Sequence, residues 1–226
     1  MVLLFLAASA LPIEPGIGSA RESSNAATVS VVEFSIPADD AKQLPAELPA
    51  IGGETPSPEI LPRAETAELL KTLARHQNAV VREAEKAKLG EAGWASFTRG
   101  KKRRFVIGKT PIATGKLDAE PDEPPQIHSK DVTSDAFDGT TVTAERVGEA
   151  GRSVNVAWTT SRIVRVETFS FIGQGTGLAT VQQPIVKTVA ASLDVSRDSG
   201  QAALFSADVD GEVRGVVIVC QAADGK

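Results

Sequence analysis

Apolar and polar positions alternate along most of this chain. In residues 182–195 (QQPIVKTVAASLDV), Val189, Ala191, Leu193 and Val195 interleave with Thr188, Ala190, Ser192 and Asp194. That period of two is a strand with one buried and one wet face. Asp210-Gly211 then joins the apolar runs QAALFSADV and VRGVVIVC. Gly tolerates positive φ, so this pair suits a tight hairpin, and the segment 182–220 reads as a closing β-meander. Earlier, TVSVVEFSI (28–36) reads as a strand with Val32, Phe34 and Ile36 on one face. WASFTRG (94–100) and RFVIG (104–108) read as two strands around the charged turn Lys101-Lys102-Arg103-Arg104. After the charged turn, residues 140–147, 154–160, 163–171, 188–195, 202–209 and 213–220 are six strand candidates, the last three being those of the meander.

One segment follows a different period. Leu69, Leu70, Leu73, Gln77, Val80, Val81 and Ala84 fall at helical spacing in an Ala, Glu, Lys, Leu and Arg background. This predicts a helix over 64–77, while 78–89 is compatible with helix or strand. Prolines interrupt regular structure twice, between residues 44 and 62 and again in LDAEPDEPPQIH (117–128). The expected fold is α+β and mostly β: an antiparallel β-meander or sandwich with one prominent α-helix. Its expected divisions are a signal-like segment (1–20), a strand plus Pro-rich linker (21–62), helix and strands (63–116), a Pro-rich acidic loop (117–130) and a β-meander domain (131–226). The stretches 38–62 and 117–130 are expected to be exposed.

Composition narrows the classes. The chain has 226 residues and a net charge of -5, so no global attraction to nucleic acid or an anionic membrane exists. The apolar run 2–11 followed by Ala8-Ser9-Ala10 and Gly18-Ser19-Ala20 predicts an export signal cleaved after Ala10 or Ala20, although no Lys or Arg precedes Arg21. No segment is long and apolar enough for an integral membrane helix. Cys220 is the single cysteine, within VVIVC, which excludes an intrachain disulfide and predicts a buried, inert thiol.

Candidate chemistry is sparse. His76 and His128 have no Cys or second His at ligand spacing, so no metal site is expected. No G-x-S-x-G elbow supports a serine nucleophile. In Gly173-Gln174-Gly175-Thr176-Gly177 a dinucleotide fingerprint would need Gly at Leu178, so a hairpin loop is expected. Asp208-Val209-Asp210-Gly211-Glu212 lacks the twelve-residue span and flanking helices of a calcium loop. The basic run 101–104, near Trp94, Phe97 and Phe105, reads as a solvated turn rather than a nucleic-acid patch. The acidic residues Asp118, Glu120, Asp122 and Glu123 sit among prolines, poor supports for a catalytic carboxylate pair. The expectation is a non-enzymatic protein with no catalytic, cofactor-binding or metal residue and no cofactor.

Several pieces in order carry a family resemblance: TVSVVEFSI (28–36), TAELLKTLARHQNA (66–79), Ala95-Ser96-Phe97 followed by Gly100, SVNVAW (153–158), QQPIVKTVAASLDV (182–195), a Gly-containing turn and a last apolar strand pair. Over roughly 28–220 this resembles the C-terminal core of the bacterial secretins. Departures are Ser196, where the family places Pro, and Leu204-Phe205-Ser206, where it shows Leu-Gly-Gly. The resemblance implies a homo-oligomeric ring or an envelope protein partner, at the periplasm or outer membrane, in secretion or pilus machinery. Tyr is absent and only two Trp occur, whereas lipid-facing barrels carry aromatic girdles. The expected protein is therefore a structural or assembly component keeping that fold without a membrane pore. The alternative is a monomeric extracytoplasmic β-sandwich that binds a protein or glycan, and an envelope hydrolase ranks third.

Overall fold

A computed structural model describes residues 27–56, 58–89, 93–114, 126–147, 152–173, 177–196 and 200–222. The expected signal and its cleavage sites lie outside the described residues. The elements are β1 (Ala27–Pro37), α1 (Ala38–Ala41), β2 (Glu59–Pro62), α2 (Arg63–Arg75), β3 (Val80–Val81), β4 (Glu85–Leu89), β5 (Trp94–Thr114), β6 (Gln126–Val147), β7 (Ser153–Gly173), β8 (Gly177–Ser196), β9 (Gln201–Asp208) and β10 (Glu212–Ala222). They form two antiparallel sheets, so the mostly-β α+β architecture read from the pattern is the one observed. One sheet has the order β2-β9-β10-β1-β3, with β4 also on β1, and the other is β5-β6-β7-β8.

The first sheet is buried on both faces by its own chain. Ala27, Val29, Val31, Ala203, Phe205, Val216 and Ile218 face the second sheet, meeting Val142, Ala144, Val154, Val156 and Trp158. On the opposite face Phe34, Ile36, Leu204, Val213 and Val217 meet Leu69 and Leu73 of α2. Strands buried on both sides must read as continuous apolar runs. That explains VVIVC and AALF without a second subunit or lipid over the far face. Trp158 is 0% exposed, and its ring lies 6.1 Å from that of Phe205 across the interface. Burying side chains of this size stabilises the sandwich by roughly 1.5–3 kcal/mol each.

Several expectations need correction. The helix expected over 64–77 is present and spans Arg63–Arg75, but in 78–89, left open between helix and strand, residues 80–81 and 85–89 are strand, supplying β3 and β4 to the edge of β1. The 38–62 stretch is not a free linker: β2 pairs with β9, and Leu44, Leu48 and Ile51 pack beside α2. Gly52 N donates to Ser206 Oγ at 3.2 Å and Asp208 N to Gly53 O at 3.0 Å, tying the stretch to β9. Each proline removes one backbone donor but prevents neither a short ladder beside it nor the burial of apolar neighbours. The expected 101–104 turn is mid-strand, because β5 is one strand of 21 residues. Of the expected acidic loop 117–130, residues 126–130 already belong to β6 and residues 117–125 lie outside the described residues.

The 182–220 meander is also regrouped: β8 closes one sheet, while β9 and β10 pair inside the other. The strand of the 21–62 segment and the last strand of the 131–226 segment share a ladder, since β1 pairs with β10 from Ala27↔Ala222 to Pro37↔Glu212. The hairpin at Asp210-Gly211 forms as its sequence requires. Both residues have positive φ, 60° and 78°, and Gly211 N donates to Asp208 Oδ1 at 2.7 Å. These are the angles of a type I′ turn, which matches the twist of its strands.

Candidate functional site

The second sheet outgrows the first. Its four strands run 20 to 22 residues, yet β6 and β7 pair only between Gly139–Val147 and Ser153–Ser161. Beyond that point the β5–β6 and β7–β8 hairpins continue as two ribbons, down to Thr114↔Gln126 and Gly173↔Gly177. The two ribbons form an arm. Although β5 and β8 are the outer strands of the sheet, they approach one another, and Phe105, Ala136 and Ala179 are buried within the arm. Each ribbon carries one bulge, between Val106 and Gly108 in β5 and between Ile163 and Arg165 in β7. Bulges bend a strand and increase its twist, as a ribbon leaving a sandwich needs.

The arm's surface is unusual at the end of β7–β8. The 19 residues 168–186 contain no Asp, Glu, Lys or Arg. Phe169 and Phe171 are exposed, and Ile172 and Leu178, opposite one another in the ladder, are 84% and 73% exposed. An apolar pair this open has no cover from the described chain. The β5–β6 ribbon is charged instead, with Arg104–Asp135 and Lys109–Asp131 pairs at 3.0 and 3.1 Å.

At the arm's base lies a cleft of about 440 Å³, lined by Glu33, Phe34, Ser35, Arg82, Arg99, Gly100, Lys101, Arg103, Asp138, Gly139, Glu212 and Arg214. The alternation of β5 builds one wall. Arg99, Lys101 and Arg103 follow Ala95 and Phe97 on the face turned toward the first sheet, while Lys102 and Arg104 take the other face. On β10, Arg214 continues the row of Ile218 and Val216, and on β1, Glu33 continues that of Val29 and Val31. Thus the inter-sheet space changes from apolar to charged at this end of the sandwich.

The cleft is braced by ion pairs across the sheets. Arg82 Nη1 lies 2.9 Å from Glu33 Oε2, Arg99 reaches the same carboxylate at 3.7 Å, and Arg99 also pairs with Glu85. Arg214 donates to Glu212 at 2.9 Å, to Asp138 at 3.1 Å and to the Ser161 carbonyl at 2.9 Å. Burial by itself would lower the Arg214 proton affinity, but the hydrogen bonds and charges of Glu212 and Asp138 outweigh it and raise the pKa. Arg162 donates to the Val209 and Asp210 carbonyls at 3.0 and 2.9 Å, fixing the β9–β10 turn against β7.

A pair of glycines permits this junction. Gly100 and Gly139 oppose one another in the β5–β6 ladder. A Cβ at Gly100 would sit 2.6 Å from the Phe137 ring and 2.5 Å from the Asp138 carbonyl oxygen, and one at Gly139 would collide with the Arg99 carbonyl and Gly100 Cα. The Phe137 ring occupies the space that two side chains would fill. The strands therefore approach closely where the ribbon departs.

The other sequence candidates stay apart. His76 caps the C-terminus of α2, its Nδ1 accepting from Asn78 N at 3.4 Å, whereas His128 is exposed on β6. Among the described residues no group of three or more His, Cys, Asp or Glu is placed to hold a metal. Asp208 is engaged with the turn amide, and Asp118, Glu120, Asp122 and Glu123 lie outside the described residues. Cys220 is buried, and desolvation, opposed by the Arg63 charge, pushes its thiol up to about 11. Sequence reading singled out Lys101 and Arg103, and Glu212 only as part of a rejected calcium loop, but missed Glu33, Arg82, Arg99, Asp138 and Arg214, which are scattered over four strands and a connector with no local motif. In comparison with known proteins, no protein-family model matches the chain and no curated protein matches it.

Proposed function

We propose that this chain is a non-enzymatic structural or assembly component of the bacterial cell envelope, secretin-like in plan, exported and working as a homo-oligomer in secretion or pilus machinery. The arm carries the reading. Two ribbons outrun the sandwich, and one of them ends in an uncharged stretch with Phe169, Phe171, Ile172 and Leu178 in solvent. Exposed apolar surface concentrated at a projecting tip marks a contact with another body. The resemblance of the segment order to the secretin core supports another copy of the chain as that body. Among the described residues no helix is long and apolar enough to cross a membrane, a statement that leaves strands aside.

Light scattering at micromolar concentration, with and without detergent, tests this. The expected mass exceeds the monomer, and Ile172→Ser with Leu178→Ser lowers it, because both side chains lose their apolar contact without disturbing the core. Intact mass of protein recovered from the producing cell is expected to show loss of the leader at Ala10 or Ala20. A monomer under every condition, indifferent to the tip substitutions, would instead favour the second reading. That reading is a monomeric extracytoplasmic sandwich binding a protein or glycan, and the charged cleft is the observation that supports it.

A further inference from the structure

We propose that the cleft at the base of the arm receives the acidic, proline-rich stretch 117–125 of a second copy of this chain, an inference that rests on the self-assembly proposed above. The cleft's own carboxylates are already engaged. Glu33 is shared by Arg82 and Arg99, and Asp138 and Glu212 both serve Arg214. Two cations on the wall are left over. Lys101 opposes Asp138 in the ladder, but that carboxylate lies at Arg214, and neither Lys101 nor Arg103 makes an ion pair with a described residue. Both are exposed and aimed into a space of about 440 Å³. What this wall lacks is a ligand with more than one carboxylate.

The chain itself contains one. Residues 117–125 read LDAEPDEPP, with Asp118, Glu120, Asp122 and Glu123 and no cation, the densest acidic run in the sequence. Three of its nine residues are proline, whose fixed φ leaves less entropy to lose on docking. The same molecule's cleft is out of reach. Lys101 and Arg103 lie 13 and 11 positions before the end of β5 at Thr114, about 36 to 43 Å along a strand at ~3.3 Å per residue. The connector 115–125 has both ends held at the paired residues Thr114 and Gln126, so eleven residues can go out and back by no more than roughly 20 Å. Only another copy can bring its acidic stretch to the cleft. Because donor and acceptor sit at opposite ends of the arm, the contact is head to tail, the kind that propagates into a ring or filament.

A synthetic peptide of sequence 117–125, titrated into the full chain, is the first probe. Saturable binding is expected, weakened about tenfold or more by Lys101→Glu with Arg103→Glu, and weakened also when salt rises from ~50 to ~300 mM. Absence of binding, or equal binding to the reversed cleft, overturns the proposal. The second test is charge exchange in the full chain. A cleft-reversed chain and a chain with Asp118, Glu120, Asp122 and Glu123 changed to Lys should each fail to assemble alone and assemble when mixed. Circular dichroism and the unfolding midpoint should stay at wild-type values, since the altered cleft side chains are exposed. If each reversed chain still assembles like wild type, the docking is wrong and the assembly reading stands. A wild-type chain that remains monomeric removes both.

Discussion

Glycine at 100 and 139 does something that alanine cannot, because the missing Cβ atoms let β5 and β6 close under the Phe137 ring. The physical cause is volume rather than backbone freedom, as neither glycine has a positive φ. Gly139→Ala must push the Arg99 carbonyl and Gly100 apart, and overpacking of this kind costs about 1–3 kcal/mol. The unfolding midpoint of that variant in urea should fall accordingly, whereas Gly108→Ala on the same strand pair, whose Cβ would meet only Val132 at an ordinary 3.6 Å and whose φ is not positive, serves as a control for the loss of glycine itself. An unchanged midpoint in Gly139→Ala would show that the strands separate freely there.

Cys220 gives a second prediction at this scale. Its thiol ionises near 9.0 in an ordinary setting and about 11 in the fold, so the fold holds the proton more tightly than the unfolded chain does. The corresponding stability is full below pH 9 and is lost progressively between pH 9 and 11. At about 1.4 kcal/mol per tenfold of proton affinity, the difference between wild type and Cys220→Ala should shrink or reverse by roughly 2 to 3 kcal/mol across that window. Denaturant titrations of both proteins at pH 8 and pH 11 read it directly. A native thiol that reacts at neutral pH with a charged reagent as fast as free cysteine would contradict the burial.

Among the elements, α2 shows how a short helix is held by its buried face. At 13 residues it is marginal in isolation, and neither end relies on a side-chain cap, for Pro62 precedes it and His76 follows. Leu69 and Leu73 are fully buried against the first sheet, with Leu70 packed beside them. Leu73→Ala should therefore cost about 2–5 kcal/mol in unfolding free energy, as deletion of a core leucine does. A loss within ~0.5 kcal/mol, typical of surface positions, would place the helix outside the cooperative unit. The long strands are a different kind of element. Their inner halves are set by inter-sheet packing, but their outer halves are held by ladder hydrogen bonds, cross-strand pairs such as Lys109–Asp131, and a few small or aromatic residues. An isolated ribbon is stabilised weakly in water, so the close approach of β5 and β8 is what allows the arm to extend.

For the whole molecule, three layers account for every long apolar run in the body, which removes any need for a partner there. What the described chain leaves uncovered is the tip of β7–β8, and what it leaves without an ion pair is Lys101 and Arg103 of the cleft. The two features lie far apart along the arm. In the proposed assembly their contributions are separable: the Ile172 and Leu178 substitutions should act at all salt concentrations, and the Lys101 and Arg103 reversals mainly at low salt.

The alternation of Val189 to Val195, the helical spacing of Leu69 and Leu73 and the Asp210-Gly211 pair were enough to specify strand, helix and turn, because each depends on neighbours within one element. Strand length was not legible in the same way. The run 101–104 looks like a turn by composition, yet a strand with alternate residues in solvent accepts four charges, two on each face. Pairing over long separations was silent too. Nothing local in residues 28–36 announces β10 as their partner, and nothing in 38–62 shows that Leu44, Leu48 and Ile51 will seal the helix layer. The cleft is the extreme case. The Glu33–Arg82 and Asp138–Arg214 pairs come to line one cleft only when two sheets stack, since a side chain's electrostatic neighbours are set by the tertiary fold and not by the order of the chain.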